Sequence, residues 1–141
     1  MTKHIKFFCY IFLSVILVCS TNLYATEPPG VGFLNLKNGE TVISPVKVEM
    51  TIVGMKVGPA GVPENGVGHH HIIIDGTFVE AGKVIPADDH HIHFGKGQTE
   101  ALVTLTPGKH TLTLQFADGI HRSYGQNWSS TITLNVQPAG K

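Results

Sequence analysis

Three runs of this chain alternate apolar and polar residues with a period of two. They are Val46-Lys47-Val48-Glu49-Met50-Thr51-Ile52, Thr111-Leu112-Thr113-Leu114-Gln115-Phe116 and Thr131-Ile132-Thr133-Leu134-Asn135-Val136. Successive side chains of a strand point to opposite faces, so each run has one face to bury and one to leave polar. Residues 31–36 and 100–105 read as further strands. Residues 71–75 are apolar on both faces, as expected in the middle of a sheet. The pairs Asn38-Gly39, Asp75-Gly76, Pro107-Gly108 and Asp118-Gly119 supply turns between the runs. Beyond the N-terminal leader there is no helical periodicity and no internal repeat. The expected fold is all-β: an immunoglobulin-like antiparallel β-sandwich of about seven strands.

The first 25 residues follow a different rule. Lys3 and Lys6 precede an apolar run, residues 7–19, that is short for a membrane span, and a more polar stretch ends at Ala25. This is the pattern of a secretory signal peptide, with cleavage expected after Ala25, and an uncleaved anchor is the alternative. Residues 26–141 then form a single β-sandwich domain, periplasmic or secreted, with no membrane span after cleavage. Both cysteines, Cys9 and Cys19, lie in the leader, so the domain has no disulfide and no thiolate ligand. Loss of Lys3 and Lys6 takes the balanced ten cations and ten anions of the chain to a formal charge of −2. No basic patch points to nucleic acid.

Nine histidines are the chemical signal. Six are clustered, in His69-His70-His71 and His90-His91-Ile92-His93, and imidazole is the commonest protein ligand for transition metals. Alternation puts His69 with His71 on one face and His91 with His93 on one face. His70 goes with Ile72 and Ile74, and His90 with Ile92 and Phe94. Two such pairs on neighbouring strands would offer up to four nitrogens, where an open zinc site needs three. The expected ligands are His69, His71, His91 and His93, with His121, after the Asp118-Gly119 turn, as an auxiliary. Asp75, Asp88, Asp89, Glu100 and Asp118 are near enough in sequence to support ligand imidazoles. His110 opens a strand after Pro107-Gly108 and reads as a structural anchor at a sheet corner. Residues 54–68, with five glycines and two prolines, read as a long loop leading into the first cluster. Tyr124 and Trp128 form either a small recognition surface or local packing.

Further stretches carry a family resemblance: Pro29-Gly30-Val31-Gly32-Phe33, Gly68-His69-His70-His71, Ile85-Pro86-Ala87-Asp88, His91-Ile92-His93-Phe94-Gly95, Gly97-Gln98-Thr99-Glu100 and Pro107-Gly108-Lys109-His110-Thr111-Leu112. Through them the chain resembles a family of secreted bacterial proteins called domain of unknown function 4399, over nearly all of residues 26–141. The resemblance implies no particular activity. The chain departs from the family pattern after His121, where residues 122–128 stand in place of a proline-containing link.

Three functional classes follow. The first is a secreted domain that binds a copper or zinc ion through its His-x-His pairs. The second is a non-catalytic envelope interaction or adhesion module, partnered by another envelope protein, whose histidines are structural. The third, a metalloenzyme, has less support. Six residues separate His93 from Glu100, more than a cupin motif allows, and the cysteines of a copper–zinc superoxide dismutase are missing from the domain. No nucleophile triad and no phosphate-binding glycine loop is present.

Overall fold

A computed structural model describes residues 28–61 and 63–138; the expected signal peptide lies outside the described residues. Nine strands follow one another: β1 (Gly30–Phe33), β2 (Glu40–Ile43), β3 (Val46–Val53), β4 (Lys56–Val57), β5 (Val67–Ile74), β6 (His91–His93), β7 (Glu100–Val103), β8 (Gly108–Ala117) and β9 (Ser129–Gln137). One sheet has the order β1-β3-β7 and the other β2-β9-β8-β5-β4, with β6 also pairing β5. The alternating runs became β3, β8 and β9.

The two sheets bury their apolar faces against each other. Val46, Val48, Met50 and Val103 come from the smaller sheet, and Ile72, Leu112, Leu114, Ile132, Leu134 and Val136 from the larger one. This is the all-β sandwich expected from the sequence, with two differences. Among the described residues nine strands form instead of about seven, because β4 and β6 are too short to carry a recognisable alternation. Two pairs are parallel, β2 with β9 and β4 with β5. After β1 the chain crosses to the other sheet. Asn38 Oδ1 accepts the Thr133 N–H and the Gly39 N–H donates to the Thr133 carbonyl, which starts β2 alongside β9 in the same direction.

The outer face of the larger sheet is covered by loops in addition. Gln115 and Thr113 point outward from β8 and are nonetheless fully buried. Gln115 Oε1 accepts the Val79 N–H, and its Nε2 donates to the carbonyls of Gly125 and Trp128. The Thr113 hydroxyl donates to the Gly76 carbonyl. Buried amide and hydroxyl groups are stable only when so paired, and here they tie residues 76–79 and 125–128 down as a partial third layer. At the opposite end of β5, Asp75 adopts φ +55°. Its carboxylate accepts the Thr111 N–H and faces His110 Nδ1 at 2.8 Å, while His110 Nε2 lies 3.0 Å from the Thr106 carbonyl. His110 is therefore a corner anchor. Tyr124 and Trp128 pack down as well: the Tyr124 hydroxyl donates to the Val67 carbonyl and its ring stacks on Phe116.

Truncating the core side of β8 should be costly. Leu114→Ala, at a fully buried position, is expected to lower the unfolding free energy by about 2–5 kcal/mol. Leu102→Ala, 69% exposed on β7, should change it by no more than about 0.5 kcal/mol. Urea denaturation of both variants checks the contrast.

Candidate metal centre

Strand β5 is the spine of the site. It pairs β8 in the register His69–Ala117, His70–Phe116 and His71–Gln115, and pairs β6 with His71 opposite His93 and Ile73 opposite His91. His69 and His71 thus project from the outer face of the larger sheet, and the small Ala117 beside His69 leaves space for its ring. His93 comes up next to them from β6.

His121 arrives from the loop after β8. Asp118 Oδ1 accepts the N–H groups of Ile120 and Arg122, closing a tight loop. Within it His121 takes φ +67°, a left-handed conformation unusual for a residue with a side chain. The Ile85 N–H donates to the His121 carbonyl and holds it there. Non-glycine residues kept in sparsely populated conformations concentrate at functional sites.

The rings converge. One ring nitrogen from each of His69, His71 and His93 lies within 4.8 Å of the other two. His93 Nε2 is 3.1 Å from His69 Nε2 and 3.1 Å from His121 Nε2. Ring centroids are 4.6 Å apart for His93 and His121 and 5.0 Å for His69 and His121. His69 and His71 are buried, and the His93 side opens to solvent.

Burial sets the charge state of this cluster. The His69 imidazole has its pKa lowered to about 4, first by burial and then by the neighbouring His93 and His121, with Asp118 pulling weakly the other way. His71 is lowered to about 2 for the same leading reason, with the other histidines adding to it. His93 is lowered by burial and by His121. At neutral pH the rings of His69, His71 and His93 are uncharged, the form of imidazole that a metal binds.

The remaining sequence candidates separate. His91 does not join the cluster. It shares the outer face with His93, as alternation requires, but lies two residue pairs along the ladder, and its Nδ1 faces Asp88 Oδ1 at 2.7 Å. Of the expected pair, only His93 lies beside His69, His71 and His121. His90 also departs from expectation. It precedes β6 in a turn and is exposed, so it does not follow Ile92 and Phe94 inward. His70 does face inward, fully buried and edge-on to Phe116 at 5.0 Å, with no hydrogen-bond partner at either ring nitrogen among the described residues. Of the acids, Asp75 serves His110, Asp88 serves His91, and Glu100 pairs with Lys47 on the other sheet. Asp88, one of the acids close enough in sequence to support an imidazole, does so for His91, three residues further on.

These features define a class: a β-sandwich with a cluster of imidazoles on the outer face of its larger sheet, of which His69, His71 and His93 could hold a metal ion. The family described as Domain of unknown function (DUF4399) matches residues 48–137, which include every histidine of the cluster, and the chain belongs to that family. Searches of curated proteins and of solved structures each returned no match.

The metal-free protein should weaken in mild acid. Unfolding restores His69, His70 and His71 from their lowered values, about 4, 4 and 2, to the ordinary 6.5. Between these limits the unfolded chain binds more protons, so stability is complete above about pH 6.5 and falls as pH drops toward 4. The slope should reach up to about 1.4 kcal/mol per pH unit for each histidine kept neutral by the fold. Urea midpoints measured through this window, with and without His70→Phe, check the sign and the share of His70.

Proposed function

We propose that this protein is a periplasmic or secreted domain that binds one copper or zinc ion through His69, His71 and His93, with His121 completing the set. One observation carries the reading: His93 Nε2 faces two other Nε2 atoms at 3.1 Å each. A neutral imidazole nitrogen offers either one proton or one lone pair, so it cannot make good hydrogen bonds to both neighbours at once. An ion between them removes the conflict. Ligand bonds of about 2.0–2.1 Å around a tetrahedral centre place nitrogens roughly 3.3 Å apart, close to the spacing present here.

The donor chemistry favours these metals. An all-imidazole set with no thiolate suits zinc and copper, whereas calcium and magnesium take oxygen ligands. The N-terminal leader supports placement outside the cytoplasm, and it is the ground for that part of the proposal.

Titrating the purified, untagged protein with Cu(II) and Zn(II) at neutral pH tests the proposal. His93→Ala should weaken binding by more than about a hundredfold and His121→Ala by about tenfold or more. His110→Ala, at the far corner, should leave it unchanged. Affinity equal in wild type and His93→Ala would defeat the reading. Elemental analysis of protein from its native compartment would identify the resident metal.

A further inference from the structure

We infer that the histidine cluster, when it holds an ion, is also the binding site of a small carboxylate, which reaches the ion from an adjoining cavity. The inference rests on the metal reading above and extends it to a ligand. The cavity measures about 320 Å³ and has three kinds of wall: His71, His93 and His121; the Asp88–His91 pair; and residues 84–87. That volume is at the small end of organic-ligand pockets, too large for a single water and sufficient for a molecule of a few carbon atoms.

Charge points to an anion. Every candidate ligand is an imidazole and none is a carboxylate or thiolate, so a divalent ion bound here would have no negative charge in its own shell. No carboxylate belongs to the cluster itself: Asp118 holds the backbone of its loop and Asp88 pairs with His91. An ion's uncompensated charge is a strong attractor for an anionic ligand in a partly buried site.

The walls point to a carboxylate with a short hydrocarbon body, in preference to a halide. Residues 84–87 are Val, Ile, Pro and Ala, an apolar surface for such a body. The hydrogen bond to Asp88 fixes the His91 ring and leaves Nε2 as its one remaining polar atom, available to a polar substituent of the ligand. His91, displaced from the metal cluster, thereby acquires a place in the ligand's surroundings.

Copper-loaded protein, with azide as a spectroscopic probe and propionate as competitor, tests this at neutral pH. Azide should add a charge-transfer band to the copper spectrum and shift the paramagnetic resonance signal, and propionate should displace it. Ala87→Trp, which fills the cavity without replacing a candidate ligand, should keep wild-type copper affinity and lose the azide band. If that variant does not fold, Val84→Trp, at an exposed position of the same wall, takes its place. Azide that leaves the copper spectrum unchanged, azide bound equally by the tryptophan variant, or azide indifferent to propionate would each overturn the inference while the metal site stands. Failure of the wild type to take up copper would instead defeat the metal reading, and the carboxylate site with it.

Discussion

Six residue pairs join β5 to β8, from His69–Ala117 to Ile74–Leu112. This register places Ile72 and Leu114 in the core and, one step along, His71 and Gln115 on the opposite face. A slip of one residue would exchange the two sets, driving Gln115 and His71 between the sheets and Ile72 outward. The apolar core therefore enforces the geometry of the candidate site. His69 and His71 are held two residues apart on one face because Ile72 and Leu114 must be held on the other. The Gln115 amide contributes from the outer side. It fastens the covering loops, and residues 84–88 and 121, farther along them, wall the cavity.

Burial that shields the imidazoles has a cost in the metal-free state. Nδ1 of His69, Nδ1 of His71 and both ring nitrogens of His70 lack hydrogen-bond partners among the described residues. A buried polar atom left unpaired costs roughly 1–3 kcal/mol. No cysteine stands among the described residues to staple them, so an ion drawing the cluster together would stabilise the fold by mass action on the folded state. The two sets of histidines differ in this respect. His110 is saturated by Asp75 and Thr106, whereas the Nε2 atoms of His69, His93 and His121 crowd one another, and an ion between them would resolve that crowding without reaching the unpaired Nδ1 atoms.

The fold was legible where alternation was long. β3, β8 and β9 bury one face each, so their pattern had to appear in the sequence, and the core residues follow from it. β4 and β6, two and three residues long, carry no such pattern and are strands only because the edge of β5 offers them unpaired backbone groups. Strand alternation also decided correctly that His69 and His71 share a face. It could not decide between His91 and His93, because both face outward and the choice depends on the register of β6 against β5. His93 lands opposite His71, and His91 lands opposite Ile73 within reach of Asp88. His121 was legible only as a residue after a turn. Its approach depends on the left-handed backbone at that position and on Asp118 closing the loop, neither of which periodicity records.

Proton and metal compete for the same nitrogens, and burial biases that competition. Exposed imidazoles take up protons near pH 6.5, so an exposed histidine site surrenders its ion in mild acid. Here the proton's hold on His69 and His71 is weakened by burial and by the mutual repulsion of neighbouring imidazolium charges. A single divalent ion would avoid most of that repulsion, since it would bring two charges shared among several rings where protonation would bring one charge to each. Burial opposes a bare ion too, but several imidazoles act on it at once and replace its lost water with ligand bonds. The physical factors that destabilise the protonated cluster would thus favour a shared ion over separate protons, and through them the packing of β5 would bear on the retention of any bound metal as well as on stability.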